Sequence, residues 1–186
     1  MDLRDILRLD VRVSEGMRLT ERPGALRSTA AFFAHSGDSW FWGAALILLW
    51  LASNSFWKQW AIVVLGSISI LAAVVMGLKF LIRRRRPEGD WGSIYRNTDP
   101  HSFPSGHAAR AFLIAVLATG LGPAWAACTL WLWAPLVSLA RVAMGVHYVS
   151  DIAAGFVVGA VFGLAILQVQ QPFLVWLAAT IKFPLW

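Results

Sequence analysis

Residues 57–87 read WKQWAIVVLGSISILAAVVMGLKFLIRRRRP, and this stretch decides the fold. From Trp57 to Ile82 the only charged side chains are Lys58 and Lys79. At about 1.5 Å per residue, a helix of that length crosses the roughly 30 Å hydrocarbon core of a bilayer. It runs out into Lys79 and the tract Arg83 to Arg86, where the chain must meet water or headgroups. Residues 83–106 are predicted to form a polar loop.

Other apolar runs flank this one. Upstream, Trp40 to Ala52 reads as a first crossing that either starts there or extends backwards through Phe32 and Phe33, an extension that His35-Ser36-Gly37-Asp38 interrupts. Downstream, His107 to Leu121 is a third crossing, and Gly122-Pro123 breaks it from a fourth, Ala124 to Met144. A fifth runs from Ser150 to Leu167, where Gly155, Gly159 and Gly163 recur every four residues and would admit a neighbouring helix closely. After Gln168, Gln170, Gln171 and Pro172, the last apolar stretch, Phe173 to Phe183, is short, and either spans with help or lies in the interface. The predicted fold is all-α, an integral membrane helical bundle of five to six transmembrane helices with an N-terminal amphipathic arm. Residues 1–28 form the arm and residues 29–186 a single membrane-embedded domain.

Composition agrees. Of 186 residues 58% are hydrophobic and 14% charged, too apolar a balance for an ordinary soluble domain of this size. Trp40, Trp57, Trp60 and Trp125 near segment ends fit an interfacial aromatic belt. The net charge of +6 would suit nucleic acid in a soluble protein. Here six Arg fall in the first 28 residues and four more in the tract after Ile82, so anionic membrane lipid is the expected partner and nucleic acid is not. Leu3, Ile6, Leu7 and Leu9 recur at helical spacing among those N-terminal charges, the pattern of a surface helix. No early apolar core with a small-residue cleavage site follows Met1, so no removable signal peptide is expected. The single Cys128 can form no internal disulfide and reads as packing.

Nearly all polar residues adjoining the apolar runs fall in three clusters: Lys79 to Pro87, Pro104 to His107, and Arg141 to Asp151. Lipid-exposed charge costs several kcal/mol, so these clusters should share a pocket. Counting crossings puts the end of the second, the start of the third, the end of the fourth and the start of the fifth on one membrane face. A pocket that basic expects an anion. Lys79 and Arg86 sit at and just beyond a helix end, where both can reach one phosphate; the bland alternative is that Lys79 snorkels and Arg83 to Arg86 anchor the helix electrostatically, a reading that suits Arg83, Arg84 and Arg85 even where Arg86 binds phosphate. Pro104-Ser105-Gly106-His107 lies where loop becomes helix, with free N–H groups for a phosphate oxygen and a glycine that lets ligand approach the backbone. His101 reads as a solvated or gating loop residue. His147 and Asp151, four apart, put a carboxylate beside an imidazole, which fixes the tautomer and leaves the other ring nitrogen free to attack. The bland alternative there is a helix cap at Ser150 or Asp151.

Together the three clusters resemble the signature motifs of the type 2 phosphatidic acid phosphatase superfamily, which includes lipid phosphate phosphatases and, more distantly, vanadium haloperoxidases. The resemblance covers about 73 residues. It departs from the family pattern at Ala140, where the third motif usually carries Ser before Arg141, so a hydroxyl is lost and its hydrogen bonding is expected to be lost or rerouted. What the resemblance implies is a lipid phosphatase in which His147 attacks phosphorus to give a phosphohistidine and Asp151 orients it. His107 protonates the leaving oxygen and then activates water. Lys79, Arg86 and Arg141 neutralise the phosphoryl oxygens, and Ser105 with the Gly106 N–H completes the cradle. No cofactor and no catalytic metal is expected, because these cations supply the neutralisation that Mg²⁺ gives elsewhere.

The expected substrate is a lipid phosphate: a polyprenyl phosphate or diphosphate, phosphatidate or phosphatidylglycerophosphate. Arg110, three residues after His107, resembles isoprenoid diphosphate phosphatase members. The positive-inside tendency predicts a multi-pass cell-membrane protein with its site on the cytoplasmic face. Oligomeric state is not encoded in any feature of the chain. Two rival readings are a vanadate-dependent haloperoxidase-like enzyme and a non-enzymatic lipid-phosphate binder or transporter. Mere binding does not require His107, His147 and Asp151 together.

Overall fold

The computed structural model describes residues 2–19, 24–88, 99–181 and 186. Among them are seven helices: α1 (Leu3–Gly16), α2 (Ala25–Ser36), α3 (Ser39–Ala52), α4 (Ser55–Ile82), α5 (Gly106–Leu121), α6 (Ala124–Ala143) and α7 (Val149–Thr180). The all-helical expectation holds. By length and composition α4, α6 and α7 can each cross a membrane, whereas α3 and α5 are apolar but shorter. Residues 89–98, the middle of the polar loop expected after α4, lie outside the described residues, as do Glu21, Arg22 and Phe183.

Helix boundaries follow local chemistry. Asn54 caps α4 by accepting from the Trp57 N–H at 3.3 Å. The helix ends where Arg83 takes a left-handed conformation, φ 54°, and returns its N–H to the Lys79 carbonyl at 2.9 Å. A side chain there costs on the order of 1–2 kcal/mol over glycine, and the turn it makes throws the following arginines back towards the bundle. Ser105 caps α5, and Gly122 with Pro123 separates α5 from α6 as expected.

α5 is the hub. From Ala108 to Ala118 every residue is buried, enclosed by α4, α6 and α7. A central helix touches little lipid, so it can be shorter than the helices around it. The small residues of α7 set its distance from α5: a Cβ on Gly155 would lie 2.6 Å from the Ser105 carbonyl oxygen, and one on Gly159 would collide with the Ala109 carbonyl. Leu46 of α3, Val64, Ile68 and Leu71 of α4, and Leu113 and Leu117 of α5 form the main apolar core. The opposite faces of the outer helices leave large side chains uncovered, among them Leu81, Leu132, Val161 and Leu164. Such a surface suits lipid and not water.

Two expectations are corrected. Phe32 and Phe33 do not extend the first crossing, because the chain breaks at Gly37-Asp38 into α2 and α3. α2 instead packs on α6, with Ala30 and Ala34 against Ala140 and Met144. Gly37 is required at that break, since a Cβ would stand 2.7 Å from Val137 Cγ1 and 3.2 Å from His107 Cδ2. The second correction concerns the C-terminus: α7 runs unbroken through Gln168 to Pro172 and on to Thr180, so residues 173–180 continue α7 and are not a separate span. Pro172 removes one donor but does not end the helix.

Candidate active site

The three clusters are stitched together through their backbones. Arg85 and His101 form an isolated antiparallel bridge, and the Ser102 N–H donates to the Arg84 carbonyl at 2.9 Å. That joins the first cluster to the loop that leads into α5. The Ser105 N–H then donates to the Asp151 carbonyl at 3.0 Å, joining the second cluster to the third.

His147 lies in the short link between α6 and α7, 1% exposed, with Asp151 fully buried below it on the first turn of α7. Its Nδ1 stands 3.4 Å from Asp151 Oδ2, an ion-pair distance at which no hydrogen bond is formed. Its Nε2 faces the Arg86 guanidinium, 3.3 Å from Nη1. Burial holds the imidazole down at about 3, the charges of Arg86 and Arg141 push the same way, and Asp151 opposes them. The ring is therefore neutral at physiological pH, with a lone pair available at Nε2.

Lys79 does not snorkel: it is buried, and its ammonium donates to Asp99 Oδ2 at 2.5 Å and to the His101 carbonyl at 2.9 Å. Arg86 is also buried and donates from Nη2 to the same Asp99 oxygen at 2.7 Å. Arg141 completes the cationic set from the last turn of α6, buried, and its charge acts on Lys79, His107 and His147. Ser105 is buried at the cap of α5, its Oγ accepting from the Ala108 N–H at 3.4 Å. Gly106 lines the cavity, and a Cβ added there would meet only Val75 Cγ1, at an ordinary 3.5 Å.

A cavity of about 150 Å³ is lined by Lys79, Asp99, Gly106, His107 and His147 at its polar end. Ile68, Leu71, Ala72, Val75 and Met76 of α4 line its apolar side. A second cavity of about 520 Å³ reaches His147 from the side of Arg18, Arg85, Arg86 and Tyr148. His147 thus borders both cavities.

Five participants escaped the sequence reading. Arg84 is not a surface anchor: Nη1 donates to Asp151 Oδ1 at 2.8 Å and to Ser150 Oγ at 2.5 Å, and Nη2 to Asp10 Oδ2 at 2.7 Å, while the guanidinium lies 4.0 Å over the Tyr148 ring. Arg83 and Arg85, by contrast, are exposed. Asp10 of α1 also accepts from the Ser150 N–H at 3.0 Å, and Ser14 Oγ accepts from the Val149 N–H at 3.0 Å, so the N-terminal helix caps α7. Asp99 bridges the two cations of the first cluster. Asp38 accepts from His107, Nε2 to Oδ1 at 2.7 Å. The one sequence signal for Asp38 was its place in a polar interruption between apolar runs.

Two further sequence readings change. His101 is half-buried rather than fully solvated, its ring packed edge-on against Phe80 with centroids 5.6 Å apart. Ala140 sits in the apolar cluster beneath α2, so the position where a serine was expected faces methyl groups of Ala30 and Ala34.

A buried imidazole, a second histidine and Lys79 on one cavity, with Arg86 against His147 and Arg141 buried nearby, are equipped to take a phosphoryl group. A family model described as the PAP2 superfamily matches residues 60–174. The chain is 33% identical over 157 residues to the decaprenylphosphoryl-5-phosphoribose phosphatase of Mycobacterium tuberculosis, covering 82% of this chain and 85% of that one. Among solved structures it is similar to a transmembrane PAP2 type phosphatidylglycerolphosphate phosphatase from Bacillus subtilis, with TM-score 0.73 at 22% identity over 97% of this chain and 90% of the other. It is also similar to Aquifex aeolicus LpxE, with TM-score 0.67 at 25% identity over 86% of this chain and 95% of the other.

Proposed function

The chain belongs to the PAP2 superfamily, and on that footing we propose that it is a membrane lipid phosphatase working through a phosphohistidine without a metal ion. The observation that carries this reading is the buried His147–Asp151 pair, opening onto one cavity with Lys79 and His107. In the proposed cycle Nε2 of His147 attacks phosphorus while Lys79, Arg86 and Arg141 hold the phosphoryl oxygens. Ser105 and the Gly106 N–H support the same group from the start of α5. His107 gives a proton to the departing oxygen, and afterwards takes one from the water that hydrolyses the phosphohistidine.

The substrate we favour is a polyprenyl phosphate or diphosphate, ahead of phosphatidate and phosphatidylglycerophosphate. Support comes from the name of the mycobacterial relative and from the apolar wall that α4 gives the cavity, which suits a tail that stays in the bilayer. We read α3 and α5 as crossing the membrane beside α4, α6 and α7, which makes five crossings. α1 then lies at the membrane surface, its exposed Ile6, Leu7, Leu9 and Val13 towards lipid. The site face is assigned to the cytoplasm, where its basic residues belong by the positive-inside tendency.

The decisive test is phosphate release by purified protein in detergent with EDTA, across prenyl diphosphates, phosphatidate, phosphatidylglycerophosphate and a soluble phosphate ester. Expected is turnover that survives EDTA and disappears in His147→Ala while the protein stays folded. Complete loss in EDTA would overturn the metal-free mechanism; near wild-type turnover of His147→Ala would remove the nucleophile.

A further inference from the structure

Asp38 lies outside all three sequence clusters, in the turn between α2 and α3, yet it reaches the second histidine of the site. His107 Nε2 and Asp38 Oδ1 are 2.7 Å apart. The turn is fixed on both sides of Asp38. Arg110, one helical turn beyond His107 on α5, donates to the Gly37 carbonyl through Nε at 2.9 Å and again through Nη2, and to Ser39 Oγ through Nη1. The second carboxylate oxygen of Asp38 is held by the His35 ring at 3.1 Å and the Trp40 indole N–H at 3.3 Å. Burial alone would raise the Asp38 carboxyl, but its hydrogen bonds to His107 and His35 outweigh that and hold it well below the usual carboxylate range. The carboxylate is therefore ionised at working pH.

We propose that Asp38 is the positioning residue of His107, fixing its tautomer and steadying its charged form so that His107 can act on the leaving oxygen, with Arg110 as the clamp that holds Asp38 in place. This deepens the phosphatase reading above and rests on it. A carboxylate on one imidazole nitrogen orients the ring and stabilises the imidazolium, as in other carboxylate–histidine pairs. With Nε2 committed to Asp38, Nδ1 is the nitrogen that exchanges the proton. As the His147 Nε2 lone pair forms the N–P bond and the P–O bond to the lipid breaks, that oxygen leaves with its electron pair and takes the Nδ1 proton. Water then adds to phosphorus and gives its proton to Nδ1, the N–P bond breaks, and inorganic phosphate and neutral His147 are restored.

The site thus holds two carboxylate–histidine pairs, His147 with Asp151 and His107 with Asp38, supplied by different parts of the chain. Arg110 also lines the cavity beside His107. Its guanidinium is spent on the turn that carries Asp38.

The test uses leaving groups. Full-length wild type, Asp38→Asn, Asp38→Glu and Arg110→Lys are compared in detergent by kcat/KM, which reports steps through the first phosphoryl transfer. The substrates are an alkyl monophosphate such as farnesyl phosphate, whose alkoxide needs a proton, and p-nitrophenyl phosphate, whose phenolate does not. Asp38→Asn should lose about 10²-fold on the alkyl substrate, and at least about tenfold less on the aryl one. Asp38→Glu should recover much of the alkyl rate, and Arg110→Lys, which keeps the charge but loses the fork, should reproduce the alkyl-selective loss. Equal losses on both substrates, or none, overturn the assignment, because a merely structural Asp38 has no reason to distinguish leaving groups. His147→Ala separates the two claims. If wild type releases phosphate from neither substrate, or His147→Ala still turns over, the phosphatase reading falls and this one with it. If wild type is active, His147→Ala is dead and Asp38→Asn shows no selectivity, only the role of Asp38 falls.

Discussion

Arg84 donates from Nη1 to Asp151 Oδ1 at 2.8 Å, so the buried carboxylate beneath His147 is neutralised by a residue from the end of α4. Its other terminal nitrogen reaches Asp10 of α1, and Tyr148 covers its face. Three parts of the chain therefore converge on the group that orients His147. Removing Arg84 would leave Asp151 buried with only the Tyr148 N–H at 2.9 Å and the His147 imidazole beside it.

Arg84→Ala should lower kcat by on the order of 10- to 100-fold with little change in KM, the size of effect seen when an outer-shell partner of an oriented ligand is lost. Arg84→Lys keeps a charge but not the fork that serves Asp151 and Asp10 at once, and should recover only part. Steady-state kinetics on the preferred lipid phosphate checks both. If Arg84→Ala instead raised KM and spared kcat, Arg84 would belong with the substrate phosphate and not with Asp151.

Asp99 places a carboxylate oxygen 2.5 Å from Lys79 Nζ and 2.7 Å from Arg86 Nη2, between two cations proposed to hold phosphate. A phosphoryl oxygen arriving there has to displace it. An internal competitor weakens apparent affinity by the fraction of time it occupies the site. Asp99→Asn, which removes the charge and keeps the shape, should therefore tighten inhibition by inorganic phosphate and vanadate roughly 3- to 10-fold. Inhibition constants measured on the soluble ester decide the matter. Weaker inhibition would mean that Asp99 holds Lys79 and Arg86 in place for the ligand.

His147 gives the fold a pH dependence whose sign can be worked out. Its pKa is about 3 in the folded protein against an ordinary 6.5, so the unfolded chain binds the extra proton between those values. Stability must then fall as pH drops from about 6.5 towards about 3, with a slope of at most about 1.4 kcal/mol per pH unit from this group. Thermal unfolding in detergent from pH 7 to pH 4 should show a steeper decline for wild type than for His147→Asn. Parallel curves would mean that water or a counterion reaches the ring.

The parts of this molecule legible from sequence are those set by local pattern. The span of α4 follows from uninterrupted apolar length, and the start of α5 from Ser105-Gly106 before an apolar run. The spacing of His147 and Asp151 follows from one turn of helix. What sequence could not reveal depends on long-range geometry. Four consecutive arginines look alike until the left-handed turn at Arg83 sends Arg84 to Asp151 and Arg86 to His147, and leaves Arg85 exposed. Asp10 lies 74 positions from Arg84 and Asp38 lies 69 from His107, separations that no motif spacing encodes. The polar run Gln168 to Gln171 looked like a helix end, yet α7 continues through it, because a helix of 32 residues outlasts the hydrocarbon core and can carry polar side chains beyond it.

The close approach of α5 and α7 supports the site as much as any hydrogen bond, since Ser105 and Asp151 sit at the adjoining ends of these helices, 3.0 Å apart through their backbones. In an open helix position glycine to alanine would stabilise by about 1 kcal/mol through propensity. At Gly159 the added Cβ runs into the Ala109 carbonyl, a backbone group that cannot turn aside, whereas at Gly163 it meets Val116 Cγ1 at 2.9 Å and Cβ at 3.0 Å, a smaller overlap and with a side chain only. Overpacking of the first kind costs about 1–3 kcal/mol and forces the helices apart. Gly159→Ala should therefore lower both the unfolding temperature and the activity, and Gly163→Ala should do markedly less of each. Because the two substitutions are chemically identical and one turn apart, equal effects would mean that the spacing of α5 and α7 does not set the geometry of the site.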